Sequence, residues 1–315
     1  MSCDLSIVTT LYNSAPHLDE FLRRMRDAAV KVASSYEVIL VNDGSPDHAL
    51  SIARAWVERW PELCVVDLSR NYGHHRAAMA GLERTRGRRV FMINCDLEEA
   101  PEDLPAFWRT LDEHPDADVV FGVVPRRRGG IVSRVGGKLF YVTINAISTL
   151  RMRGDEAFSR LLTRVFVDGL LRFPERELYL GGLLKDIGFT QIPLPIETRF
   201  KGRSDYTLLR RVNLAINAIT GFSSVPLVFI FYLGLTISLL TLGIMVWFGG
   251  RYLFFAKPPT GYTSLILSIW FGNGALISIL GLVGIYLAKV FSEVKARPRV
   301  VVRRVYRRED DTSTP

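Results

Sequence analysis

Short apolar runs alternate with amphipathic stretches through the first part of the chain. Leu5–Thr10, Tyr36–Val41, Leu63–Leu68, Arg89–Ile93 and Val119–Val123 have the length and composition of strands. Between them, Ala15–Val32 carries Leu18, Phe21, Leu22 and Met25 at helical spacing. Asp47–Trp60, His74–Arg84 and Pro101–His114 continue the helical pattern. The last of these opens on a proline in its first turn, where the missing N–H costs nothing. This βαβα rhythm predicts an α/β domain: a mostly parallel sheet with helices on both faces. Binding sites in such sheets form beyond the carboxyl ends of the strands. Asn13, Asp43, Asn71 and Asp96 each follow a predicted strand end.

The pattern blurs between Gly129 and Phe200. Helices are predicted over Val132–Leu150 and Arg160–Leu171. "TQIPLPIETRF" reads as an edge strand broken by Pro193 and Pro195, which cannot donate to a ladder. Beyond it the chain changes character. No Asp, Glu, Lys or Arg occurs from Val212 to Gly250, nor from Pro258 to Ala288. Pro226–Phe248 and Tyr262–Leu287 are each long enough, at about 1.5 Å per residue, to cross a hydrocarbon core of about 30 Å. The linker "GGRYLFFAKPPTG" carries only Arg251 and Lys257, whereas eight Lys or Arg residues lie between Lys289 and Arg308. The positive-inside rule therefore puts both ends of the chain in the cytosol. Thr207–Thr220 sets Leu208, Val212, Ile216 and Ile219 on one stripe with Arg210 and Arg211 off it, as in a basic helix lying in the membrane interface. Gly274/Ser278 and Gly284/Ala288 have the small-xxx-small spacing that permits close helix packing, and with it a homo-oligomer through the membrane helices. The expected organisation is an α/β domain over 1–205, an amphipathic helix over 206–224, two membrane helices over 225–290 and a basic cytosolic tail over 291–315.

Net charge sharpens this picture. The formal charge is +8, with basic residues crowded at Arg126–Arg128, Lys201–Arg211 and Lys289–Arg308. Two of these clusters flank the uncharged runs, which favours a lipid bilayer with anionic headgroups over nucleic acid. "MSCDLSIVTT" lacks the basic start and long apolar stretch of a signal peptide, so the first domain is expected to stay in the cytosol. Cys3, Cys64 and Cys95 form neither a paired framework nor a metal-ligand spacing, and are expected to be reduced thiols.

The densest candidate chemistry lies in "FMINCDLEEAPEDL". A carboxylate at a strand end costs desolvation unless a cation or proton offsets it. Hard divalent cations take oxygen ligands, and Mg²⁺ uses one or two carboxylates plus substrate phosphates. Asp96 and Glu98 alternate if the segment is extended, with Asn94 at the same parity, so all three point to one side. Glu99 and Glu102 read as acidic residues favouring the start of the helix near Pro101. The carboxylate of Asp43 suits acceptance of a base N–H or a ribose hydroxyl; a turn-forming Asp before Gly44 is the plainer alternative.

Together, "LSIVTTLYN", "VNDGSPD", "LSRNYGHHRAAMAGLERTRGRRVFMINCDLEEAPEDL" and the paired apolar spans resemble family 2 glycosyltransferases. Within that family the chain is similar to the polyprenyl-phosphate glycosyltransferases, the group of dolichyl-phosphate mannose synthase and the bactoprenol glucosyltransferases. The resemblance implies a GT-A type sheet, a nucleotide-diphosphate-sugar donor, Mg²⁺ or Mn²⁺, and undecaprenyl or dolichyl phosphate as acceptor. It also implies a multi-pass protein of the inner (cytoplasmic) membrane with its catalytic domain in the cytosol. Carried over by motif, Thr10, Tyr12 and Asp43 face the nucleoside. Asn71, in "SRNYGHHRA", lies along the donor cleft. Asp96 matches the second aspartate of the D-x-D motif and holds the metal on the diphosphate, with Asn94 and Glu98 beside it. Arg126 and Arg134, in "PRRRGGIVSRVGGK", fall where the family places arginines that contact phosphates.

Departures from the family pattern matter. Asn94 stands where the first aspartate is usual, and Glu98 where Gln is usual. Asp/Asp/Gln and Asn/Asp/Glu carry the same total charge, which points to a rearranged metal site rather than a lost one. Val124 and Pro125 precede the arginines, and Asp205 stands where a lysine is common. A phosphate monoester has a second pKa of about 6 and is largely ionised at neutral pH, so it needs no strong general base to attack. That agrees with the lack of a Ser/His/Asp constellation and implies one displacement with inversion. His74 and His75 read as helix N-terminal residues near the phosphates. Two alternatives stand beside this reading. One is a family 2 enzyme acting on a polysaccharide or another lipid, for which two spans are few and Q-x-x-R-W is not evident. The other is a membrane protein that binds nucleotide-sugar without turnover, favoured by Asn94.

Overall fold

The computed structural model describes residues 3–124, 155–174, 180–198 and 261–308, with isolated helical positions between 227 and 243. The helix expected over Val132–Leu150, the interfacial helix and most of the first span lie outside the described residues, as do Arg126 and Arg134. The chain divides into two units, the first comprising residues 1–141, 152–206 and 297–315, the second residues 142–151 and 207–296.

The first unit is built on one eight-stranded sheet. In chain order its elements are β1 (Leu5–Leu11), α1 (Ala15–Ala29), β2 (Tyr36–Asn42), α2 (Ala49–Val57), β3 (Leu63–Leu68) and α3 (His74–Leu82). Then come β4 (Arg89–Met92), a 3₁₀ turn (Pro101–Asp103), α4 (Leu104–Glu113), β5 (Val119–Val123), β6 (Glu156–Thr163), α5 (Arg164–Leu171), α6 (Leu180–Asp186), β7 (Gln191–Pro195) and β8 (Val302–Arg307). The strand order is β7-β5-β6-β4-β1-β2-β3-β8. The pairs β1–β2, β1–β4, β2–β3 and β5–β7 are parallel, and β3–β8, β4–β6 and β5–β6 antiparallel. Every residue of β1 is buried, as helices on both faces require, which is why its sequence runs apolar rather than alternating. One face packs Leu18, Phe21, Phe91 and Phe107; the other packs Met79, Leu82, Phe166 and Leu183.

The five expected strands and four expected helices are present. The predicted edge strand is β7, with Pro193 and Pro195 at the sheet margin. Two expectations change. The helix expected from Arg160 begins only at Arg164, because Thr163 caps it: its Oγ1 accepts the Phe166 N–H at 3.3 Å. Residues Glu156–Thr163 are instead β6, bridging β4 and β5. The basic tail also contributes structure: Val302–Arg307 closes the sheet against β3. Arginines along this edge blunt it against pairing with other chains.

In the second unit, α7 (Tyr262–Val294) has 33 residues, a length of about 50 Å, and passes the expected end at Leu287 by two turns. Leu265, Ile269, Ile277, Leu280, Leu287 and Phe291 are exposed along it. Some of its side chains fall outside the described set, and among the described residues no helix is both long and apolar enough to cross a membrane.

Candidate active site

The loops that follow β1, β2, β3 and β4 meet at one end of the sheet and are sewn together by side chains. The turn after β2 fits only as glycine at residue 44. Gly44 has φ +61°, and a Cβ there would lie 2.5 Å from the Asn71 nitrogen and 2.6 Å from the Arg70 carbonyl carbon. Backbone packs on backbone, and the β2 and β3 loops are held in contact. Beside it, Asp43 is 2% exposed. Its two oxygens accept the N–H groups of Tyr72 at 2.6 Å and Gly73 at 2.9 Å. Burial raises its pKa, partly offset by those two bonds and by Arg70. The side chain therefore anchors the Ser69–Gly73 loop. Asn71 itself is exposed, and Tyr12 is 50% exposed at the end of β1. Asp47 joins the β1 and β2 loops by accepting from the Ala15 N–H at 2.8 Å and the Ser45 hydroxyl at 2.5 Å.

Thr10 is the hub of this end. Its hydroxyl lies 2.8 Å from His74 Nδ1, at the start of α3, and its carbonyl accepts from Cys95 Sγ at 3.2 Å. The β1 end thereby touches both α3 and the loop after β4. The His74 ring packs on Phe158 of β6 with centroids 4.4 Å apart, and on His75 at 5.7 Å. Burial lowers the pKa of His74. His75 is pushed down to about 4 by burial, helped by His74 and Arg160. Both imidazoles are neutral near pH 7, as helix-start residues rather than cations.

The segment after β4 departs from the expected extended form. The strand ends at Met92, a turn follows at Cys95–Asp96, and Leu97 takes φ +60°. A non-glycine residue there costs about 1–3 kcal/mol, and the buried Leu97 side chain, packed in the core under α1 and α4, selects the turn. Asp96 Oδ1 accepts the Glu98 N–H at 3.1 Å. Asn94 and Asp96 are half-buried and Glu98 is exposed. The common parity expected of these residues is thus broken at Leu97, although all three stay in one short loop.

Glu102 lies in the first turn at Pro101–Asp103, as expected, whereas Glu99 precedes that turn and bonds toward β6. The 3₁₀ turn has Ala100 at its cap with no side-chain bond. Glu102 makes a two-pronged pair with Arg24, both contacts at 2.7 Å. Glu99 is 6% exposed, and its Oε1 accepts the Phe158 N–H at 2.6 Å while Oε2 has no partner. Its pKa rises to about 7, chiefly by burial, with the Phe158 bond opposing and Asp96 adding. Local pattern could not reveal this role, because the partner lies 59 residues away across the sheet. Arg160 is also buried, on β6, and donates to Phe158 O at 3.2 Å and Ala157 O at 3.0 Å.

A mostly parallel sheet whose carboxyl-end loops gather carboxylates, an amide and a histidine-bearing helix start is an α/β enzyme's substrate end. The profile of "Glycosyl transferase family 2" matches residues 6–168, and the chain belongs to that family: it is a glycosyltransferase. A Mycobacterium tuberculosis protein named among glycosyltransferases is 41% identical over 99% of this chain and 91% of its own length. The undecaprenyl-phosphate 4-deoxy-4-formamido-L-arabinose transferase of Pseudomonas fluorescens is 30% identical, covering 99% of this chain and 92% of its own. The bactoprenol glucosyl transferase of Shigella phage SfX is 29% identical over 95% of this chain and 98% of its own.

Proposed function

We propose that this glycosyltransferase transfers a sugar, with inversion, from a nucleotide-diphosphate-sugar to a polyprenyl phosphate at the cytosolic face of the membrane. The observation that carries the reading is the extent of similarity to the undecaprenyl-phosphate and bactoprenol transferases. It runs through the apolar C-terminal part as well as the sheet domain. An acceptor that is a lipid phosphate suits a catalytic domain followed by long uncharged segments.

The membrane hairpin belongs to this proposal. Strand β8 lies in the same sheet as β1 to β7, so the chain between β7 and β8 leaves and returns to one side. If α7 crosses a bilayer, a second crossing is needed between residues 199 and 261. The uncharged run ending at Gly250 supplies the length for it. The apolar side chains exposed along α7 favour lipid as their surroundings.

The donor set Asn94, Asp96 and Glu98 fits a hard divalent cation such as Mg²⁺ or Mn²⁺: all three offer oxygen, and the substrate diphosphate completes such a shell. Among the described residues no group of three or more His, Cys, Asp and Glu side chains is placed to hold a metal ion. When bound, the cation offsets charge on the departing nucleotide diphosphate. The chain's own work is positioning. Asp43 and Gly44 hold the Ser69–Gly73 loop, His74 ties Thr10 to α3, and Glu99 ties the Asn94–Glu98 segment to β6. Arg126 and Arg134 are assigned to the acceptor phosphate by family resemblance. An acceptor phosphate that is already ionised makes a strong base unnecessary.

The test is a donor panel with detergent-purified protein and undecaprenyl phosphate. One nucleotide-sugar should yield a lipid-linked sugar monophosphate that depends on divalent cation. Donor binding with no transfer to any lipid phosphate would leave the reading favoured by Asn94, a nucleotide-sugar-binding protein without turnover.

A further inference from the structure

The ladder between β3 and β8 is irregular at one point. Asp67 pairs with Arg304 and Leu68 with Val302, so Arg303 is an extra residue with no opposite number. Such a bulge re-aims the side chain and reverses the alternation of faces on either side. Both consequences are visible. Val302 packs with the face that carries α3, whereas Tyr306 packs with the opposite face, beneath Arg54 at 4.7 Å. The Arg303 guanidinium turns along the edge and donates from Nη2 to the Ser69 carbonyl at 2.9 Å. One residue before β8, the Val301 carbonyl accepts the Ser69 N–H at 2.9 Å. Ser69 is therefore gripped on both its backbone groups by the segment that follows α7.

Ser69 opens the loop that ends at Gly73. Its hydroxyl lies 2.8 Å from the Tyr72 hydroxyl, and Arg70 stacks on the Tyr72 ring at 4.2 Å. The far end of the loop is the part held by Asp43. The loop is thus fixed at one end by β2 and at the other by a strand some 230 residues later in the chain.

We propose that Arg303 is a positioning residue for the donor side of the site: the bulged guanidinium sets the Ser69–Gly73 loop, and couples its geometry to the docking of the strand behind the membrane helix. The effect on the donor rests on the reading of that loop given under Proposed function; the effect on the loop does not. The full-length protein in detergent is compared with Arg303→Ala, Arg303→Lys and Arg304→Ala. Arg304 is the control because it sits on the same strand but faces Tyr306 at 5.9 Å instead of Ser69.

Amide hydrogen exchange reports the loop. In Arg303→Ala, protection of the Tyr72 and Gly73 amides should fall about tenfold while β1 and β2 stay unchanged, since only a local opening is eased. Arg303→Lys should restore part of it, and Arg304→Ala should match wild type. UDP, GDP and ADP binding, and the KM for whichever nucleotide-sugar is turned over, report the donor. Loss of one charge-assisted bond held at second hand should raise KM about fivefold with kcat little changed. Unchanged protection at Tyr72 and Gly73 overturns the proposal, and so does an equal loss across the whole sheet, which would make Arg303 merely a stabiliser of β8. If protection falls locally but the wild type binds no nucleoside diphosphate, the donor reading fails and the loop contact stands.

Discussion

Asp96 spends Oδ1 on the Glu98 amide and keeps its other oxygen for other partners, while Glu98 reaches solvent one residue past the strained Leu97. On the proposed reading of the site, with Asn94 in the loop, Glu98 would supply the second negative charge toward the cation. Changing Glu98→Gln should therefore lower the transfer rate by tenfold or more, about 1.4 kcal/mol, and raise the divalent concentration needed for half-maximal rate. Adding Asn94→Asp restores the charge and should recover much of that loss, as neighbouring groups acting on one cation are not additive. Initial rates against Mg²⁺ and Mn²⁺ for wild type, both singles and the double decide it. A Glu98→Gln rate equal to wild type across the series would remove Glu98 from the site. His75 gives a pH effect of defined sign. Its pKa falls from 6.5 to about 4 on folding, so below pH 6.5 the unfolded chain binds the proton that the folded chain refuses. Stability from this group is present in full above pH 6.5 and is lost as pH falls toward 4, by up to about 3 kcal/mol. Urea midpoints of detergent-solubilised protein between pH 7 and 4.5 should drop less steeply in His75→Gln; an identical slope would refute the assignment.

At the scale of elements, the strands that were legible are those buried on both faces. β1, β2, β3, β4 and β5 announce themselves as apolar runs because helices cover them above and below. The two that escaped, β6 and β8, owe their conformation to distant neighbours. "EAFSRLLT" carries an arginine that masks it as a strand until β4 and β5 flank it, and "VRRVYR" reads as a solvated basic tail until β3 offers it a ladder. The candidate site was legible in the same uneven way. The loops were found from strand ends and family motifs, but the parity of Asp96 and Glu98 failed because a buried Leu97 outweighs the preference for extended backbone. Since β8 covers the edge of β3, a chain ended after residue 296 should expose that edge and the apolar surface beneath Tyr306. It should aggregate or lose several degrees in Tm, whereas a chain ended after residue 308 should melt as wild type does. Thermal scans of the two truncations side by side make the comparison, and equal melting would show that β8 is dispensable.

For the whole molecule, the sheet itself constrains topology. Strands from residues 5–195 and from 302–307 hydrogen-bond in one ladder, so they fold in one compartment. Any traverse of a membrane between them must be matched by a return. If α7 is one crossing, the proposed hairpin would put the linker that carries Arg251 and Lys257 on the opposite side from both termini. Charge agrees independently: eight Lys or Arg residues follow from Lys289 to Arg308, against two in the linker. Tags at the N-terminus, at the C-terminus and within the linker should divide accordingly in spheroplasts of intact cells. Only the linker tag should be reached by an impermeant reagent or protease, and the terminal tags should become reachable only after lysis. This outcome needs both arguments to hold, because the basic tail alone would also allow a single span with an outward N-terminal domain. A C-terminal tag reachable before lysis, with the N-terminal tag protected, would separate β8 from β3 across the bilayer. It would overturn the hairpin together with the pairing that closes the sheet.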